Sequence, residues 1–332
     1  MSDALVDGYD LVIFDLDGVI YLIDKPIRGA VEAVERLRAA GIPVAYATNN
    51  ASRRAGEVAA LLTGMGVPAE PHEVRTSAGA AASLLAERLP PGAPVLVVGA
   101  EALRAEVRDA GLKPVETFED SPSAVVQGYG PDVGWRVLTE AALSVRAGAT
   151  WVATNTDRTL PSPRGPLPGN GSLVAVLRTA LDREPDLVVG KPQPALFTTA
   201  ASQSGAKRPL VVGDRLDTDI EGAVGAGMDS LLVLTGVSGP VDLLAAPPSR
   251  RPAYLAADLS GLFLAGAAVP AKGPELDGWR VTRDGDRATL DGSGDPVAAL
   301  RLLCGATWEG VPVSGVEAGS AEARALLASW GL

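Results

Sequence analysis

Leu11-Val12-Ile13-Phe14-Asp15-Leu16-Asp17-Gly18-Val19 is the stretch whose reading decides the fold. Four consecutive apolar residues of β-branched and aromatic type predict a short strand buried on both faces, as in parallel sheets. Ligands of open α/β sheets sit beyond the carboxyl ends of such strands, so Asp15 and Asp17 fall at the expected active edge. Carboxylates two residues apart repel unless they are solvated or share a cation. By itself the segment therefore reads either as a solvated Asp-Gly turn or as part of a divalent-metal site. An EF-hand loop is excluded, because its fifth, sixth and twelfth positions would be Val19, Ile20 and Pro26.

Outward from this strand, the chain alternates helical and strand patterns. A helix is predicted over 29–40 with Gly41 as its stop, a buried strand over 42–47, and a helix over 52–64. Later short apolar runs at 187–189, 210–212 and 231–234 read as three more strands that complete the same parallel sheet. The stretch between these halves is far longer than the dozen or so residues a crossover needs. It carries its own pattern, with strands at 95–98, 124–127 and 150–153 and helices at 101–110, 133–147 and 173–181. The expected organisation is a doubly wound, Rossmann-like α/β core over 1–81 and 184–266, interrupted by an inserted α/β cap over 82–183. A cap over a catalytic edge excludes water and selects substrate. Residues 267–274 read as a linker. Residues 275–332 read as a small α+β appendage, with a hairpin at 279–283 and 287–290 and helical stretches near 296–308 and 321–330. At that size it needs the main body or a second chain to bury its Trp and Leu side chains.

With 332 residues, 47% hydrophobic and 21% charged, the chain is expected to be globular with substantial cores. It shows neither a secretory signal pattern nor an apolar run near the ~18 residues that span a bilayer, so a cytoplasmic protein with no membrane partner is expected. The net charge of −11 argues against a nucleic-acid partner. A single cysteine, Cys304, and a single histidine, His72, exclude a disulfide framework and any zinc site built from several such ligands. His72 lies in a polar loop and is expected at the surface; Cys304 lies in an apolar helical pattern and is expected in the core. Catalysis must then rest on carboxylates, lysines or hydroxyls. No predicted strand is followed by Gly-x-Gly-x-x-Gly, which argues against a dinucleotide-binding oxidoreductase.

Three further strand ends carry polar residues. One finishes in Thr48-Asn49-Asn50, offering a hydroxyl and turn N–H groups suited to phosphoryl oxygens. Another finishes in Gly190-Lys191-Pro192, with one of only five lysines, able to neutralise a phosphate and a carboxylate together. The last finishes in Gly213-Asp214-Arg215-Leu216-Asp217-Thr218-Asp219-Ile220, where Asp214 is placed to supply a further metal ligand. Together these suit hydrolysis of a phosphate monoester through an aspartyl-phosphate. An attacking carboxylate is repelled by the phosphate dianion, so a bridging cation and a nearby lysine are required. Mg²⁺ accepts a few carboxylates and a carbonyl while keeping waters. A second acid must protonate the leaving alkoxide and then activate water. Asp15 is the expected nucleophile and Asp17 the expected acid-base.

These four motifs resemble those of the haloacid dehalogenase superfamily, and the double Asn, the last motif and the large cap resemble its subfamily IIA, over residues 7–264. The resemblance implies that Asp15, the carbonyl of Asp17 and Asp214 bind Mg²⁺, with Asp219 holding a metal-bound water. It also implies that Thr48, Asn49, Asn50 and Lys191 hold the phosphoryl group. Asp17 favours a phosphatase over a dehalogenase. The family's specificity loop corresponds to the stretch with Asn155, Asp157, Arg158 and Leu160, where Asp157 is equally readable as a turn or helix-cap residue. No aromatic residue occurs from Thr154 to Ser172, which favours small polyol or glycolyl phosphates over ring-bearing substrates. The expected substrate is a small phosphate ester, with glycerol 3-phosphate first and phosphoglycolate or another sugar or polyol phosphate as alternatives. A non-hydrolysing phosphate sensor of the same fold is the other reading. The C-terminal region resembles part of a GNAT acetyltransferase domain. Its Cys304-Gly305-Ala306 and Glu309-Gly310 do not supply the Arg-x-x-Gly-x-Gly turn for coenzyme A, so a packing or homodimer role is expected.

Overall fold

A computed structural model describes residues 4–332. The chain divides into two compact units, one made of the segments up to Tyr21, Ile27–Val44 and Ser204–Leu332, the other of Leu22–Pro26 and Ala45–Gln203.

In the first unit, the strand Leu11–Phe14 is fully buried and pairs in parallel with Pro209–Gly213. That strand pairs with Asp229–Val233, which pairs with Tyr254–Ala256, all parallel. The helix Ala30–Ala39 buries Ala30, Ala33, Val34 and Leu37, the spacing that makes one apolar stripe. The C-terminal region forms a sheet in which Glu275–Leu276, Trp279–Asp284 and Arg287–Gly292 pair antiparallel and Val316–Ala318 joins in parallel. Its helix Pro296–Trp308 buries Leu300, Leu303 and Cys304 in one cluster with Leu216, Ile220, Leu243 and Leu244. The appendage thus finds its apolar partners within the chain. The expected linker is tied down: Val269 N–H donates to Ala253 C=O at 2.9 Å and Ala271 N–H to Arg301 C=O at 3.1 Å.

In the second unit, Val44–Thr48 pairs in parallel with Val74–Thr76, and the helix Ser77–Arg88 follows. A five-stranded parallel sheet runs in the order Leu187–Val188, Thr150–Ala153, Ala124–Gln127, Pro94–Val98, Lys113–Val115. The expectation that 187–189 completes the first sheet is overturned. Leu187–Val188 pairs with Thr150–Ala153, and Asp186 sets that register by accepting the Trp151 N–H on Oδ2 at 2.8 Å and donating its own N–H to Trp151 C=O at 2.9 Å. Among the described residues no helix is long and apolar enough to cross a membrane.

Candidate active site

Asp15 extends the ladder of its strand by donating its N–H to Val212 C=O at 2.9 Å. The chain then folds around Leu16 C=O, which accepts from Ile20 and Tyr21 at 2.9 and 3.1 Å, while Gly18 N–H reaches Tyr21 C=O at 2.8 Å. Gly18 sits at φ +87°, where a side chain is strained. Asp214 follows the neighbouring strand, and Asp219 lies in the π-helical turn Leu216–Ile220. One side-chain oxygen from each of Asp15, Asp214 and Asp219 lies within 4.8 Å of the others, and the three residues are 7%, 0% and 0% exposed.

The surrounding loops aim these carboxylates. Asp214 Oδ2 accepts from Val237 N–H at 2.7 Å, and its backbone carbonyl accepts from Ser238 N–H at 3.0 Å. Ser238 Oγ in turn accepts from Leu216 N–H at 3.0 Å, and Asp219 Oδ2 accepts from Arg215 N–H at 3.1 Å. Thr235 Oγ1 donates to Gly18 C=O at 2.6 Å. Burial pushes the Asp217 carboxyl up, but two 3.0 Å bonds from Arg215, its charge and that of Arg250 leave it below the usual carboxylate range.

The trio suits a hard divalent ion. Octahedral Mg²⁺ with bonds near 2.1 Å places ligand oxygens about 3.0 Å apart when adjacent and about 4.2 Å apart when opposite, a span compatible with this grouping. Three carboxylates so close and so buried repel one another, and a divalent cation removes that repulsion. Asp17 is half-buried and outside the trio.

The second unit gathers the other residues named from sequence. Asn49, 8% exposed, is the hub. Its Oδ1 accepts Lys191 N–H at 2.8 Å, and its Nδ2 donates to Lys191 C=O at 3.1 Å and to the Asp157 carboxylate at 3.0 and 3.3 Å. Its own carbonyl accepts from Asn155 Nδ2 and from Ser77 Oγ, both at 2.6 Å. Lys191 is 3% exposed and donates Nζ to Ala47 C=O at 3.1 Å. Thr48 Oγ1 accepts from Asn50 N–H at 3.0 Å, and Asn50 Oδ1 accepts from Ser52 N–H and Oγ at 2.8 and 2.7 Å. Asn155 and Asp157 thus meet Asn49, the residue that pairs with the Lys191 backbone, with Asn170 Nδ2 on Asn155 C=O at 2.7 Å behind them. Arg158 is exposed and Leu160 half-buried, the latter in a short pairing of Thr159–Leu160 with Leu167–Pro168.

Sequence reasoning missed Ser77, Asn170 and the segment 235–238. That segment follows the strand Asp229–Val233, so the strand-end rule applied once more would have found it. Ser77 and Asn170 carry no such signal, being single polar residues at the starts of helices.

Comparison with known proteins agrees with this picture. Residues 12–113 match the family profile of the haloacid dehalogenase-like hydrolases, residues 188–262 a related HAD-hydrolase-like profile, and residues 276–332 a GCN5-related N-acetyltransferase-like domain. A D-glycerol 3-phosphate phosphatase of Mycobacterium tuberculosis is 46% identical over 99% of this chain and 96% of its own length. An acid sugar phosphatase of Staphylococcus aureus is 38% identical over 69% of this chain and 88% of its own length. Among solved structures, a glycerol phosphate phosphatase from Mycobacterium tuberculosis in complex with magnesium superposes with a TM-score of 0.91 at 47% identity, covering 99% of both chains. A 4-nitrophenylphosphatase from Thermotoga maritima superposes with a TM-score of 0.72 at 32% identity, covering 78% of this chain and 97% of that one. Carboxylate trio, fold and relatives lead to one conclusion: the chain belongs to the haloacid dehalogenase-like hydrolases.

Proposed function

We propose that this chain is a Mg²⁺-dependent phosphatase of small phosphate monoesters that works through an aspartyl-phosphate, with glycerol 3-phosphate as substrate. The observation that carries the proposal is the buried trio Asp15, Asp214 and Asp219, with one oxygen of each within 4.8 Å of the others. The substrate follows the full-length relative, a D-glycerol 3-phosphate phosphatase. The acid sugar phosphatase relative supports another sugar or polyol phosphate as the second reading.

Asp15, Asp214 and the Asp17 carbonyl would hold the ion, with Asp219 reaching it through water. An ion held there would supply positive charge that offsets the repulsion between the phosphate and the Asp15 carboxylate. Asp15 attacks phosphorus as the leaving alkoxide departs. Asp17, less buried than Asp15, gives that alkoxide its proton and then takes one from the water that cleaves the acyl-phosphate. Lys191 supplies positive charge to the phosphoryl oxygens, and Thr48, Asn49 and Asn50 supply hydrogen bonds. Asp157, Arg158 and Leu160 select the alcohol portion, with Asn155 holding their loop against Asn49. The net charge of −11 speaks against a nucleic-acid partner, and a cytoplasmic location belongs to the same reading. Gel filtration tests whether it forms a homodimer.

Phosphate release from glycerol 3-phosphate, phosphoglycolate and p-nitrophenyl phosphate tests the reading. Asp15→Asn should lower kcat by about 10⁴-fold or more, as loss of a nucleophile does. Turnover that survives EDTA or this substitution would refute the mechanism. Phosphate binding without turnover across the panel would establish the sensor reading instead.

A further inference from the structure

None of the proposed chemistry uses the C-terminal region, yet that region is joined to the loop that aims Asp214. Residues 235–239 connect the strand Asp229–Val233 to the helix Pro240–Leu244 and supply the Val237 and Ser238 N–H groups to Asp214. Within the loop Val237 is 68% exposed, and Thr235 Oγ1 ties the segment to Gly18 C=O at 2.6 Å. A five-residue helix cannot hold its own shape, because nucleation fixes several residues for one hydrogen bond. Its position must come from what it packs against. Leu243 and Leu244 are buried in the cluster that contains Leu300, Leu303 and Cys304 of the C-terminal helix. Trp308 Nε1 donates to Leu243 C=O at 3.0 Å, adding a second donor to a carbonyl that also accepts Ala246 N–H at 3.1 Å. The Arg251 guanidinium lies 4.9 Å from the centre of the Trp308 ring and donates Nε to Ala246 C=O at 3.0 Å. One indole and one guanidinium thus fasten both the last turn of the helix and the residues just after it.

We propose that Trp308 and Arg251 are positioning residues for Mg²⁺ binding. The C-terminal region braces the helix Pro240–Leu244, the helix fixes residues 235–239, and these hold Asp214 in place for the ion. The inference rests on the Mg²⁺ reading given above. Trp308→Phe keeps an aromatic ring but removes the indole N–H and part of the ring volume; Arg251→Met keeps the stem and removes the stacked, donating head. Calorimetric titration of EDTA-stripped protein with Mg²⁺ gives the affinity of each variant directly, alongside its melting temperature and the Mg²⁺ dependence of its turnover. The expected result is a Mg²⁺ Kd raised about three- to tenfold in each variant, the worth of one net hydrogen bond. Turnover should recover at saturating Mg²⁺ with KM for the phosphate ester unchanged. Variants that melt earlier while binding Mg²⁺ within twofold of wild type would overturn the proposal, leaving the joint a purely structural one. Should Trp308→Phe fail to fold, Arg251→Met carries the same comparison. A wild-type protein that does not bind Mg²⁺ sinks both readings, whereas failure of the brace alone leaves wild-type binding and turnover intact.

Discussion

Gly18→Ala tests the active-site geometry with a single methyl group. A Cβ at Gly18 would stand 2.5 Å from Asp214 Oδ2 and 2.7 Å from its Cγ, whereas ordinary contact begins at 3.4 Å. The Asp214 carboxylate, or the loop bearing residue 18, must therefore give way by about 0.9 Å, the difference between 3.4 and 2.5 Å. Mg²⁺ demands near-ideal octahedral geometry, and a misplacement of about 1 Å at reacting groups costs about 10²-fold in rate. The substitution also strains the backbone, since φ at residue 18 is +87°, at a cost of about 1–2 kcal/mol. Gly29 separates the two effects: its φ is +84°, but a Cβ there meets nothing within 4 Å. Gly29→Ala should therefore show the stability loss alone, with kcat/KM within about threefold of wild type. Gly18→Ala should lose about 10²-fold in kcat/KM and require more Mg²⁺. The assay is phosphate release from glycerol 3-phosphate across a Mg²⁺ titration, with melting temperatures for all three proteins. Equal kinetics for the two variants would refute the assignment of Asp214 as a metal ligand held against Gly18.

Asn49→Ala removes the amide that pairs with both backbone groups of buried Lys191; leaving those groups unsatisfied should cost about 2–4 kcal/mol in urea unfolding, and a change under about 0.5 kcal/mol would contradict the hub role. The N–H groups of Lys207 and then Arg208 hold the Asp10 carboxyl below the usual carboxylate range. Its folded value being depressed, its contribution is present above the unfolded pKa of about 3.9 and is lost as pH falls through the folded value. Asp10→Asn should accordingly be less stable than wild type at neutral pH, and the gap should close below about pH 4; a gap that holds constant down to pH 2 would refute the linkage. Burial pushes the Cys304 thiol well above its ordinary pKa. Its alkylation in the folded protein should run on the order of 10³-fold slower than after unfolding, if opening costs about 4 kcal/mol; comparable rates would mean that the C-terminal helix opens readily.

Much of the fold was legible because its signals are local. A run such as Leu11–Phe14 declares a buried strand by composition, and Ala30–Ala39 declares a helix by the spacing of its apolar side chains. The site residues at strand ends were legible for the same reason, since the carboxyl end of a parallel strand is a position in sequence as well as in space. The partner of 187–189 was not legible. A two-residue strand carries too little pattern to choose its sheet, and Asp186 made that choice through its bonds to Trp151, 35 residues away.

The sequence by itself determined the alternation of strands and helices, the carboxylate, hydroxyl, amide and lysine residues at the strand ends, and the resemblance that joins them. Tertiary structure alone decided which of those residues meet. Asp15 and Asp214 are 199 positions apart in sequence, yet parallel pairing of Leu11–Phe14 with Pro209–Gly213 sets their strands side by side, and the turn Leu216–Ile220 brings Asp219 to them. Asn49 meets Lys191, 142 residues on, through hydrogen bonds that no local pattern encodes. The attachment of Trp308 to Leu243 is of the same kind. Composition and periodicity report what each segment buries, but hydrogen bonds between distant segments depend on the whole packed chain, and in them the geometry of the site resides.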